Sequence, residues 1–431
     1  MHMQSLLPLI FLLLPTYLIR FQLGPVPTTL LEVFILISIG TSLYYNGPNN
    51  VWREVKQTLH TNKLLFAGLV LFFLGATLSL FTATNVRAAA GEWKAFYLEP
   101  ILFFFVLAPA LKKNLQQRNL LLALILSGLI TAIFAVYQHF TGWLVPDAFW
   151  ANGTSYRVTA WYGFPNGVGL FLSPLIPLAL YLIHSVWYEK KKSNTSHSRE
   201  NRNPDLLFLA LSIVFLFFSI PAIFFAKSTG ALVGVAGGIG LLLLLYKKTR
   251  WPSVALIAIG VIILFSLPPG NAVRTELLAQ DRSGQIRRAI WNETVSLLKD
   301  RPLLGAGLAS YDDRIVPYHT TVNGEGIEIF HHPHNIFLSI YVNTGLMGLT
   351  GFILILIWFY SRSSRLIVHS SPNRVLPIYL MASMTVILVS GLVDSPYIKN
   401  DLAILFWLLP ALLIATIDSK ERIFYSKNPT Y

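Results

Sequence analysis

Apolar residues in this chain come in long, nearly unbroken runs separated by short polar stretches, and the rhythm repeats along the whole length. The runs fall at 5–19, 28–45, 64–82, 95–110, 119–139, 167–187, 205–226, 230–246, 252–268, 334–360, 375–394 and 402–417. At ~1.5 Å per helical residue, such runs approach or reach the ~30 Å of a bilayer's hydrocarbon core. The pattern predicts an all-α, polytopic membrane protein of about twelve spans, with 1–431 forming a single transmembrane domain. The first run is short and interrupted by Pro8 and Pro15. No basic segment precedes it and no small-residue cleavage site follows, so it is read as a span rather than a signal peptide. One polar stretch, 269–333, is far longer than the rest. Within it Ile286, Ile290, Thr294, Leu297 and Leu298 recur at helical spacing and predict an amphipathic helix over 282–299.

Composition agrees with that class: 54% of residues are hydrophobic, 12% are charged, and mean hydropathy is +0.58, far from a soluble domain. The net charge of +13 is mostly a statement about topology. With the N-terminus cytoplasmic, the inside segments are 46–63, 111–118, 188–204, 247–251, 361–374 and 418–431. They hold 20 of the 33 lysines and arginines, and the long 269–333 loop lies outside. Both termini are then cytoplasmic. The basic run 190–204 reads as a solvated loop, not a nucleic-acid site. The chain has no cysteine, which excludes disulfides and thiolate chemistry. No P-loop, dinucleotide fingerprint or internal repeat stands out, so no nucleotide cofactor is expected.

Candidate chemistry gathers at the outer edge. The stretch HHPHNIFLSIYVNTGLMG (331–348) places histidines where the long polar loop runs into a hydrophobic helix. Arg287 and Trp291, four apart, share one face of the predicted amphipathic helix. The alternative for that helix is to lie on lipid head groups with its arginines snorkelling. Arg157 stands among aromatics in SYRVTAWYGFPNGVG, Lys227 lies between two apolar runs, and Glu32, Glu99 and Asp394 fall near outer helix ends. Each acid alone reads more readily as an ion-pair partner than as a catalyst. For the histidines, hydrogen bonding at a helix start and a metal set of His331, His332, His334, His319, Asp312 and Asp313 are both open readings. A transporter or flippase for an anionic or lipid-linked solute is a second functional class. It is expected to carry polar breaks near mid-bilayer, and here the charges sit at the edge.

The order of motifs is more specific. Arg287-x3-Trp291 leads into a Pro302-Leu-Leu-Gly305-x-Gly307 turn, then Pro333-His334-Asn335, then Asn343-x-Gly345-x-x-Gly348. YGFPNGVG follows Arg157, and GLVDSP spans Gly391–Pro396 before an aromatic final run. This combination, covering most of the chain, resembles the O-antigen ligase and O-antigen polymerase superfamily. It departs at Ser228-Thr229-Gly230, where many members carry an arginine in the middle; Lys227 is the nearest cation. The resemblance implies metal-independent, cofactor-free glycosyl transfer on the extracytoplasmic face. The implied donor is a polyprenyl-pyrophosphate-linked glycan, the acceptor a glycolipid or glycan hydroxyl. His334 is implied as general base and Arg157 and Arg287 as pyrophosphate ligands, with Lys227 and Arg288 behind them and Asn335, Trp291 and Asp394 in support. Ligase and polymerase need the same donor site, so the motifs do not separate them.

Overall fold

The computed structural model describes residues 3–24, 26–153, 155–193, 202–322, 324–369 and 375–427. Much of the basic run 190–204 lies outside them. All twelve apolar runs fall on helices. Among the described residues seven helices are long and apolar enough to cross a membrane, and eight if the bent pair Leu30–Asn46 and Pro48–Thr61 is one span. Thr229–Leu245, Arg250–Ser266 and Leu376–Ser390 are apolar but shorter, at 17, 17 and 15 residues. The first run is a helix of only ten residues, Met3–Leu12, continued by a 3-10 turn, Leu14–Leu18. It then gives way to an antiparallel hairpin of Arg20–Leu23 with Val26–Thr29. The twelve-span expectation thus stands at seven or eight on length and composition.

The bent pair corrects a sequence reading. Residues 46–63 were expected as a loop, yet Pro48–Thr61 is a helix turned 106° from Leu30–Asn46. Gly47 makes the corner at φ 75°, and Pro48 opens the new helix where its missing N–H costs nothing.

Two helices approach closely enough to exclude side chains. Lys63–Leu78 and Ile336–His369 meet at glycines. A Cβ on Gly75 would come within 2.5 Å of Gly348 N, and one on Gly351 within 2.3 Å of Phe72 N. Small residues let membrane helices gain dispersion contact where lipid removes the hydrophobic incentive. Gly351→Val is expected to cost more than the ~1–3 kcal/mol of ordinary overpacking, because backbone atoms rather than side chains must move. Thermal unfolding in detergent reads this, and an unaltered melting temperature would show that these helices are not in contact.

Gly345 breaks Ile336–His369 at φ 66°, ψ −174°, a conformation open essentially to glycine. The break frees the Val342 carbonyl, which accepts from Ala306 N at 2.7 Å and Gly307 N at 3.0 Å. Leu346 N in turn donates to Leu303 O. The Gly305–Gly307 turn is thereby pinned to the kinked helix, which explains why two glycine motifs 40 residues apart act as a unit.

The final helix, Asn400–Lys427, is buried along almost all of its apolar length and forms the centre of the bundle. Arg250–Ser266 lies at the periphery, with Ser253 its only buried residue. The polar ends segregate. Glu54 pairs with Lys112, Trp358 with Asn62 and Arg362 with Thr61 at one end. At the other, the hairpin meets Lys94, and 157–166, 226–230, 276–345 and 391–401 come together.

Candidate active site

The loop bearing Arg157 is held from below by one buried side chain. Gln138, near the end of Asn114–Thr141, accepts from Thr159 N and Ala160 N at 3.0 and 2.8 Å. Its amide donates to the Leu144 and Ala160 carbonyls. Both faces of the amide are spent on loop backbone, which fixes where Arg157 emerges.

Arg157 then reaches across to the Lys227 segment. Its Nε donates to Ala226 O at 2.8 Å, and one terminal nitrogen donates to Lys227 O at 2.9 Å and Asn166 Oδ1 at 2.8 Å. Its guanidinium carbon lies 5.2 Å from the Trp150 ring centre. The other terminal nitrogen makes no hydrogen bond to the described residues. Burial, and then the charge of Arg287, push the Arg157 guanidinium down to about 10, partly offset by Asp394; it remains a cation at neutral pH.

Arg287 arrives from the long loop. Asp281 caps the helix Arg282–Asp300 by accepting from Gly284 N. The helix buries Ile290, Thr294, Leu297 and Leu298 against protein, with Leu297 and Leu298 beside Tyr311, Ile315 and Val342, rather than lying free on the membrane. Arg287 is left facing a cavity of about 320 Å³, which Arg157, Asn166, Lys227, Thr229, Glu276, Asp281 and Asp394 also line. Arg288 does not join them: it is exposed and off the cavity. A step of ~100° per helical residue turns it away once Arg287 points inward.

Asp394 connects the cavity to the histidines. It is buried, its Oδ2 accepts from Asn166 Nδ2 at 2.8 Å, and its Oδ1 accepts from its neighbour Ser395 N at 2.8 Å. Oδ1 also lies 3.5 Å from His334 Nδ1, a nitrogen that is buried without a hydrogen-bond partner. Burial alone would raise the Asp394 carboxyl, but His334, His332 and the Ser395 amide outweigh it and hold the group below its ordinary range. It is therefore an anion at neutral pH.

His334 sits at φ 48°, in the left-handed region, with the Phe330 ring edge-on at 4.8 Å. Its neighbours hold it there. Trp291 Nε1 donates to Pro333 O at 3.0 Å, tying the histidine loop to the Arg287 helix. Asn335 Oδ1 caps the following helix by accepting from Phe337 N and Leu338 N, while its amide donates to Leu392 O.

The other polar candidates divide. His331 bonds Asp312 at 2.8 Å on the exposed surface, and His319 lies between Glu293 and Ile327 O. The sequence-derived metal set is therefore not assembled. A different trio is: donor atoms of His332, His334 and Asp394 all lie within 4.8 Å of one another. Burial pushes His332 down to about 3, with the neighbouring His334 acting in the same direction, so its imidazole is neutral. The trio has the donors for a divalent ion, but Arg157 and Lys399 act electrostatically on the same atoms and oppose one. Glu32 pairs with Lys94 at 2.8 Å, as expected of an acid near a helix end. Glu99 keeps one carboxylate oxygen buried and unbonded.

Sequence reasoning left Asn166 out of the site and considered His332 only as a possible metal ligand. Asn166 is the piece that joins Arg157 to Asp394, and its signal was the Pro165-Asn166-Gly167 helix start. No curated protein matches the chain closely enough to count as a relative. Residues 214–353 match the family profile described as O-Antigen ligase, a segment holding Lys227, Arg287, Trp291, His334 and Asn335. That partial match supports the superfamily that the chain's motifs resemble, the O-antigen ligases and polymerases.

Proposed function

We propose that this protein moves a glycan from a polyprenyl-pyrophosphate carrier to a sugar hydroxyl, without a metal ion, on the extracytoplasmic face of a bacterial inner membrane. The observation that carries the reading is the convergence of Arg157, Arg287 and Lys227 on one cavity whose wall, Asp394, lies 3.5 Å from His334. Pyrophosphate is the leaving group such cations suit, since arginine binds phosphate oxygens through paired, charge-assisted hydrogen bonds.

The chemistry then follows. With Nδ1 turned to the Asp394 carboxylate, His334 has Nε2 as its free base nitrogen. Nε2 takes the acceptor hydroxyl's proton as that oxygen bonds the anomeric carbon. The bond from that carbon to the pyrophosphate oxygen breaks, and the electron pair leaves with the polyprenyl pyrophosphate. Arg157 and Arg287 hold the departing charge, and Asp394 stabilises the imidazolium that forms. Ligase and polymerase differ only in what returns as acceptor.

The test is transfer in reconstituted liposomes, with a polyprenyl-pyrophosphate oligosaccharide, candidate glycolipid acceptors and chelator, read by mass spectrometry. A single addition identifies a ligase and a ladder a polymerase. A chelator-sensitive activity, or transport of the lipid without transfer, would overturn the reading.

Orientation has its own test, made simple by the absence of native cysteine. Asp300→Cys is expected to react with a membrane-impermeant maleimide in intact cells. Labelling only after permeabilisation would place the long loop in the cytoplasm and reverse the topology.

A further inference from the structure

Lys399, near the histidine cluster, forms no ion pair among the described residues. Its side chain is largely buried, and its ammonium lies 4.2 Å from the centre of the Phe164 ring. The ammonium makes no hydrogen bond or ion pair to the described residues. Two carboxylates are close enough to act on it, Asp401 and Asp394, but other donors occupy both. Asp401 accepts from Tyr162 Oη and Leu402 N. Asp394 accepts from Asn166 and Ser395 and faces His334. Arg20 of the N-terminal hairpin, exposed and with its guanidinium likewise unpaired among the described residues, adds a second positive charge near Lys399. Neither Lys399 nor Arg20 lines the cavity of Arg157 and Arg287. Lys399 nonetheless acts electrostatically on His332 and Asp394, so it stands next to the histidine cluster.

Burying an ammonium is costly unless an anion or hydrogen bonds offset the lost hydration, and a ring face supplies only part of that. A donor pyrophosphate filling the arginine cavity leaves the acceptor to reach His334 from elsewhere. Lys399, partly buried, is the positive charge next to the histidine cluster and outside that cavity.

We infer that Lys399, assisted by Arg20, is an acceptor subsite that holds an oxyanion carried by the acceptor glycan next to the hydroxyl being glycosylated. The inference rests on the glycosyl-transfer reading and specifies its acceptor as anionic. A sugar carboxylate and a sugar phosphate share that chemistry, and the test separates them.

Full-length protein in liposomes is given the polyprenyl-pyrophosphate oligosaccharide and three glycolipid acceptors, alike except for a neutral hexose, a hexuronic acid or a hexose phosphate. Lys399→Met is expected to raise KM for an anionic acceptor by about tenfold or more, with the donor KM moving less than twofold. Lys399→Arg restores most of the loss. The acid or the phosphate, whichever shows the larger rise, is the native group. An equal rise for the neutral acceptor, or a rise in donor KM, overturns the subsite. In parallel, calorimetry measures glucuronate and a hexose monophosphate binding to wild type and Lys399→Met without donor. Binding that depends on Lys399 in a protein showing no transfer would sink the transfer reading and leave the anion subsite standing. Transfer with no Lys399 effect on KM or binding sinks the subsite alone, and so does absence of both.

Discussion

Replacing His334 is expected to remove transfer: His334→Ala and His334→Asn should each lower single-turnover transfer by about 10²–10⁴-fold, the range a positioned general base contributes. The asparagine variant separates chemistry from folding. His334 occupies φ 48°, a conformation that asparagine tolerates better than most residues, so His334→Asn keeps the loop's backbone while removing the base. Both variants should purify like wild type, because Asn335 and Trp291 hold the segment from either side through bonds that do not involve the imidazole. Asp394→Asn should cost less. It removes the charge facing Nδ1 but leaves Nε2 able to accept a proton, so a residual pH-dependent rate is expected. Either His334 variant retaining transfer within tenfold of wild type would remove it from the reaction and return it to a structural role.

How much of this could be read from the chain depends on the kind of signal. Apolar runs report helices directly, and all twelve fall on helices because nothing competes with hydrocarbon burial over such lengths. Spans are a stricter matter. Met3–Leu12 ends where Pro15 and the polar hairpin begin, and hydropathy alone does not count the shortfall. Pro48–Thr61 was overlooked because it is polar, although Pro48 and the spacing of Val51, Val55 and Leu59 carry a helical pattern. The amphipathic helix of the long loop was legible to within a residue, 282–299 against Arg282–Asp300, since its period is strong and Asp281 caps it. The site is different in kind. Arg157 and Arg287 are 130 residues apart, and no local pattern brings them to one cavity; only the ordered motifs did. Arg288, expected behind Arg287, is exposed and off the cavity, because helical geometry separates neighbours onto different faces. Lys399 entered the orientation count as one more outer charge. Its burial depends on Phe164, 235 positions away, and a linear reading has no access to that.

Arg157 and Arg287 should respond differently to the same conservative change, and the difference tests how each works. Arg157→Ala is expected to lower kcat/KM for the donor by about 10²–10³-fold, comparable to losing a principal donor to a developing anion. Arg157→Lys should be nearly as damaging. The native side chain spends Nε and one terminal nitrogen on Ala226, Lys227 and Asn166, and keeps the other terminal nitrogen free for a phosphate oxygen. An ammonium has one nitrogen, so it can satisfy those carbonyls or reach the phosphate, but not both. Among the described residues the Arg287 guanidinium makes a single bond, to Ser283 Oγ at 2.9 Å, so charge is expected to be its main contribution. Arg287→Lys should therefore retain a substantial fraction of wild-type activity, while Arg287→Ala loses most of it. Donor kinetics for the four variants read the comparison. If Arg157→Lys worked well and Arg287→Lys failed, Arg287 would be the bidentate phosphate ligand and Arg157 a structural clamp between the Lys227 and Asn166 segments.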